Sequence, residues 1–199
     1  MSAPPRGRPR SFDRDAALEK AMLLFWSRGY EATSISDLTE AMGIGAPSLY
    51  AAFGDKATLF AEVVRTFGER YGGFSAAALA EEPTAADMVT RILREAAYEY
   101  TREGCPHGCL VTSAGINTTS EEVAGMLRDI RNGNIRAFAA RIQDDIDAGL
   151  LPADANANAL ARYVGAVMFG MSQSAMDGAT RAELIEVAEI AARNWVRAT

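Results

Sequence analysis

Histidine is almost missing from this chain: among 199 residues it occurs once, as His107. A serine–histidine–aspartate relay needs an acid beside the ring to orient it, and the neighbours of His107 are turn residues. Cysteine occurs twice, as Cys105 and Cys109, too few for a disulfide framework at this length. No apolar run approaches a membrane span, so no membrane partner is expected. The first ten residues hold prolines and arginines without an apolar core, which argues against a secretory leader and for a cytoplasmic location. No stretch alternates convincingly as a strand does, and no glycine-rich phosphate loop follows one. Acids are scattered as solvated charge on polar helix faces, and no cofactor is expected.

What is present is a globular composition, 49% hydrophobic and 23% charged, long enough for one large domain or two small ones. The net charge of −6 argues at first against nucleic acid, but its distribution reverses that. Residues 1–60 carry seven Lys/Arg and seven Asp/Glu, so the whole deficit lies in residues 61–199. Arg6, Arg8 and Arg10 open the chain without an acid among them. A neutral head with a basic tip thus precedes an acidic body.

The head is organised around residues 42–56. Gly43 stops a helix ending at Met42 by taking the left-handed conformation, and Gly45 starts the next helix with Pro47 in its first turn. In that short helix Leu49 and Phe53, four apart, point inward; Ala46, Pro47, Tyr50 and Ala51 form the outer face. Gly54 ends it and Asp55 caps a fourth helix whose first turn carries Lys56. A cation there opposes the helix dipole, and a nearby anion such as a DNA phosphate would explain it. Two short helices joined by a glycine turn have the plan of a helix-turn-helix. An ordinary helical hairpin with a chance tyrosine and lysine fits the bare pattern as well.

Upstream, Asp13 caps a first helix over about 14–28, with Leu18, Ala21 and Phe25 on its buried stripe. Ser34 and Asp37 form a capping pair for a second helix with Ile35, Leu38 and Met42 inward. The spaced set Phe12, Leu18, Phe25, Gly29-Tyr30, Thr33-Ser34-Ile35, Leu38, Met42-Gly43-Ile44, Leu49-Tyr50, Phe53, Lys56 and Leu59 resembles the DNA-binding head of TetR-family transcriptional regulators. The resemblance covers about residues 9–60. It implies an all-α homodimer, with a three-helix helix-turn-helix DNA-binding domain and a six-helix ligand-binding and dimerisation domain. It also implies repression relieved when a small-molecule effector enters the body. The expected division is a flexible basic arm over 1–11, the DNA-binding head over 12–56 and the helical body over 57–199.

On that resemblance Thr33, Tyr50 and Lys56 would hold phosphates, while Ser36, Ala46, Pro47 and Ser48 would approach base edges of double-stranded operator DNA. Arg6-Gly7-Arg8-Pro9 resembles the minor-groove hook of architectural proteins, so Arg6 and Arg8 would follow a narrow minor groove. The sequence departs from the family's habit at Gly45, where a serine or threonine cap is common, and at Ala52, where histidine or tyrosine is. With Ala46, Pro47 and Ala51 on the outer face, direct base readout should be thin.

In the body a fourth helix over about 56–80 is expected, weakened at Gly72-Gly73 by a bend, a ligand approach or a frayed end. A fifth follows from Glu81, a short sixth spans about 109–117, a seventh about 118–148 and an eighth about 153–176. The ninth starts at the Thr180–Glu183 capping pair and runs almost to Thr199. Effector-lining candidates on the earlier helices are Phe67, Tyr71, Tyr98, Cys105 and Cys109. Asn117, Met126, Met168 and Phe169 complete that set. Small residues at four-residue spacing on the eighth helix, Ala161, Gly165, Ala166, Gly170 and Ser174, suit close helix–helix approach. With Ala188, Ala192 and Trp195 of the ninth they would form the dimer interface. Packing within the chain would use the same glycines.

Cys105-Pro106-His107-Gly108-Cys109 is the one chemical constellation. It could be a helix-breaking turn with buried thiols, a redox or electrophile sensor with His107 lowering a thiol pKa, or a soft-metal site. A helical thiol redox enzyme using these three residues is the rival function, and it leaves the head unexplained.

Overall fold

The computed structural model describes residues 12–116 and 118–195, and those residues form ten helices and no strand. Asp13 caps α1 (Arg14–Arg28) by accepting from the amides of Asp15 and Ala16. Ser34 and Asp37 close a reciprocal capping box on α2 (Ile35–Met42), and Gly43, at φ 71°, turns the chain into α3 (Ala46–Phe53). Asp55 caps α4 (Lys56–Tyr71) through the Thr58 amide. These four starts and stops follow local side-chain chemistry, which is why they were legible in sequence.

The long fourth helix expected over about 56–80 is two helices, α4 and α5 (Gly73–Glu81), so the expected nine become ten among the described residues. The break falls at Gly72, where a Cβ would press to 3.1 Å on the Gly68 backbone, a tight contact. Thr84 caps α6 (Ala85–Tyr100), four residues later than the acidic pair suggested. A loop with Gly104 and Gly108 at positive φ leads to the short α7 (Leu110–Ser113). Then come α8 (Glu121–Asp147), α9 (Ala157–Met176) and α10 (Arg181–Arg193), the last opened by the Thr180–Glu183 capping box.

Two cores hold the molecule. The body core joins α6, α9 and α10 through Met88, Ile92, Leu93, Val164 and Leu184, with Phe138 of α8. The head core centres on Phe25, Tyr30 and Phe60; the Phe25 and Phe60 rings meet edge to face at 5.0 Å. Each fully buried aromatic stabilises by roughly 1.5–3 kcal/mol. Leu110, Ala114, Val123 and Leu127 pack into this head core, so α7 and the start of α8 are built into the base of the head. Arg14 adds a forked ion pair to Glu62, at 2.6 and 2.7 Å, which ties α1 to α4.

Candidate DNA-binding head and effector cavity

On α3, Leu49 and Phe53 are buried and Pro47, Tyr50 and Ala51 are exposed, with Tyr50 52% accessible. Ala46 and Ser48 are half-buried on the same helix, and Ser36 is exposed at the start of α2. Lys56 lies in the first turn of α4, its ammonium 4.2 Å from the centre of the Tyr30 ring. Burial lowers the Lys56 pKa, and the nearby Glu31 carboxylate raises it, so part of the anion sought for this lysine lies in the chain itself. Thr33 corrects an expectation. It is fully buried and its hydroxyl donates to the Gly29 carbonyl at 2.7 Å, which closes the turn after α1 and leaves nothing to offer a phosphate. Arg6, Arg8 and the basic arm lie outside the described residues.

A cavity of about 610 Å³ opens below the head. Phe67, Tyr71, Cys109, Met168 and Phe169 line it as expected, together with Trp26, Tyr100, Arg131 and Phe138, which the sequence reading missed. Tyr98 does not: it is 51% exposed, with the Arg181 guanidinium over its ring. Met126 packs against the head core instead. Cys105 sits behind the wall, its thiol donating to the Tyr71 hydroxyl at 3.8 Å. Asn117 lies outside the described residues. Trp26 belongs to the head helix yet faces the cavity, its ring 4.9 Å from Phe67 and 5.1 Å from Tyr71. Only its size, one residue past Phe25 on the buried stripe, could have signalled this.

Cys105, His107 and Cys109 of the 105–109 turn each meet a different partner. Nδ1 of His107 lies 3.3 Å from the Ala175 carbonyl on α9. The Cys109 amide donates to Ser172 Oγ at 2.9 Å, and burial pushes the Cys109 thiol pKa up. The expected lowering of a thiol pKa by His107 is not found at Cys109, whose pKa is raised. Among the described residues no three His, Cys, Asp or Glu side chains are grouped to hold a metal ion. The turn is instead a structural junction built on Gly108. Its amide donates to the Tyr100 carbonyl at 2.9 Å, and its carbonyl accepts from the Trp26 indole at 3.2 Å. A Cβ on Gly108 would meet Met176 Cγ at 2.8 Å and the Ser172 carbonyl at 2.9 Å. Gly108 therefore joins α1, α6 and α9 at one point. A second link from head to body runs from Glu31, whose carboxylate accepts from Thr118 and Thr119.

The interface expectation also divides. Ala161, Ala188, Ala192 and Trp195 are buried within the chain's own core. Gly165 makes room for α8: a Cβ there would lie 2.5 Å from Ile135 Cδ1. Ala166, Gly170 and Ser174 do face outward, beside exposed Tyr163 and Phe169 on α9 and Val187 and Ile190 on α10. Small residues at four-residue spacing serve internal and external packing alike, so sequence alone could not separate the two. No described helix is long and apolar enough to cross a membrane.

A glycine-turned helix pair with the second helix bare, set on a cavity-bearing helical body, defines a helix-turn-helix transcription regulator. Residues 17–63 match the family of bacterial regulatory proteins called the tetR family. The HTH-type transcriptional repressor ComR of Escherichia coli (strain K12) is 35% identical over 193 residues, which are 96% of this chain and 92% of ComR. BdcR of the same strain, another HTH-type transcriptional repressor, is 33% identical over 189 residues, 93% of this chain and 90% of its own length. A cysteine-substituted form of the TetR-family regulator CifR, solved with 26-base-pair operator DNA, is 43% identical at a TM-score of 0.89. That alignment covers 94% of this chain and 100% of CifR. The chain belongs to the TetR family of bacterial regulatory proteins.

Proposed function

We propose that the protein is a homodimeric repressor that binds a near-palindromic operator through α3 and releases it when a small molecule occupies the cavity. The observation that carries this is the outer face of α3. Pro47, Tyr50 and Ala51 are left exposed on it by the described residues, and buried Leu49 and Phe53 anchor the helix from the other side. Tyr50 and Lys56 hold phosphates; Ser36, Ala46, Pro47 and Ser48 approach base edges, where the apolar ones meet thymine methyl groups. Thr33 is left out, for the reason given by its buried hydroxyl. The basic arm over 1–11, the head over 12–56 and the body over 57–199 act as separate functional parts.

The dimer forms on the outward faces of α9 and α10, where Tyr163, Phe169, Val187 and Ile190 surround Ala166, Gly170 and Ser174. Apolar side chains gathered on one helical face suit a two-fold, self-complementary interface. CifR in complex with operator DNA and the repressor names of ComR and BdcR support the reading. The effector is a reversible small-molecule ligand, since the cavity volume is in the range of such sites and the pKa of the Cys109 thiol on its wall is raised rather than lowered. Enrichment of a random duplex library by the full chain tests the proposal. A recovered near-palindrome supports it, and recovery of no preferred sequence overturns it.

A further inference from the structure

The cavity wall is mainly aromatic and aliphatic, yet its one half-buried cation has no opposite charge among the described residues. Arg131 of α8 lines the cavity, is half-buried, and forms no ion pair with any acid among the described residues. Its one hydrogen bond, from Nη1 to the Val111 carbonyl at 2.8 Å, occupies a fraction of the five N–H groups of a guanidinium. Among the described residues Glu99 is the one acid on the wall, and it is already paired with Arg102. Arg162, also on the wall, adds a second cation. A half-buried guanidinium without a counter-charge offers an anion a ready partner, and its planar fork matches a carboxylate with two parallel hydrogen bonds. Burial lowers the Arg131 pKa, the direction expected of a cation whose partner is missing.

We infer that the effector is an amphiphilic carboxylate, its head group held by Arg131 and its apolar part seated among Trp26, Phe67 and Phe138. This rests on the proposed effector role of the cavity and specifies its ligand class. The placement also explains how such a ligand acts on the head. Arg131 bonds to α7, which packs under α1, while Trp26 brings α1 to the cavity itself. A carboxylate that draws the guanidinium toward the cavity competes with the Val111 carbonyl and so shifts α7.

The test uses calorimetric titration of the full-length protein at neutral pH with the straight-chain carboxylates from hexanoate to tetradecanoate and with their matched primary amides. Removing one partner of a desolvated charge pair lowers affinity by about tenfold or more. At least one carboxylate is therefore expected to bind about tenfold tighter than its amide. Arg131→Met should erase that preference while amide affinity stays, which also shows the pocket intact. Arg131→Lys, which keeps the charge but not the fork, should retain part of it. Equal binding of acid and amide to the wild type, or an unchanged preference in Arg131→Met, overturns the carboxylate inference. Amides that bind and release operator in that case leave the effector cavity standing. Failure of every acid and every amide to bind overturns both.

Discussion

The indole N–H of Trp26 donates to the carbonyl of Gly108 at 3.2 Å, a bond between residues 82 positions apart. It joins the first helix of the DNA-binding head to the turn that roofs the cavity, and Trp26 is itself part of the cavity wall. A ligand that moves the turn must move α1 or break this bond. Trp26→Phe keeps a ring but removes the donor, and a lost neutral hydrogen bond costs about 1 kcal/mol. The expected outcome is a small loss in denaturant stability, little change in operator affinity without ligand, and a reduced effect of ligand on that affinity. Operator titrations with and without ligand, run on both proteins, measure it.

Gly108→Ala should be more damaging than Gly104→Ala, although both glycines have positive φ. A left-handed backbone costs an alanine roughly 1–2 kcal/mol at either position. Only at Gly108 does the added Cβ also strike a neighbour, the Ser172 carbonyl at 2.9 Å; nothing lies within 4 Å of it at Gly104. Thermal unfolding of the two variants should rank them in that order, and equal losses would mean that the junction yields freely.

Tyr50→Phe and Lys56→Ala should weaken binding to all duplexes alike, because phosphate contacts position rather than specify. Lys56→Ala should also reduce the slope of log affinity against log salt by about one per half-site. It removes the contact with the Tyr30 ring as well, worth roughly 0.5–1 kcal/mol at an exposed site, so an unfolding curve accompanies the titration.

Glu31 makes the head–body contact pH-dependent. Hydrogen bonds from Thr119, then Thr118, and the charge of Lys56 hold its carboxyl below the ordinary value of 4.5. A depressed carboxylate contributes stability that is fully present above 4.5 and is lost as pH falls through the lower folded-state value. The amide resonance of Thr119, which donates to Glu31 at 3.2 Å, should titrate with a midpoint below 4.5. Glu31→Gln should abolish that titration; a midpoint at or above the ordinary value would mean that the contact is not made in solution.

The head was legible in sequence because its boundaries are set by neighbours in the chain. Asp13, Ser34 and Asp55 cap the helices that follow them, and Gly43 makes the turn, each through contacts a few residues away. The body was less legible because its decisive contacts are long-range. Nothing local tells that Gly165 serves Ile135 rather than a partner, or that Arg131 reaches a cavity whose acid, Glu99, is already paired with Arg102. The 105–109 turn misled for the same reason: closeness in sequence does not gather Cys105, His107 and Cys109 into a metal-binding group among the described residues, and Nδ1 of His107 lies against the Ala175 carbonyl instead.

Val187→Glu together with Ile190→Glu should give monomers, since both side chains are exposed on α10 and neither belongs to the folded core. Sedimentation should show the lighter species with helical content retained. An intact dimer would place the interface elsewhere.

Hydroxyl-radical footprinting of the enriched operator, with the wild type and the Val187→Glu, Ile190→Glu variant, bears most directly on whether this is a dimer reading DNA through α3. The predicted result is two protected half-sites of opposite orientation, centred about one helical turn or a multiple of it apart. Protection should be lost in the monomeric variant at the same concentration and on adding Tyr50→Ala to the wild type. A single protected site of one orientation, or protection that persists in both variants, would contradict it.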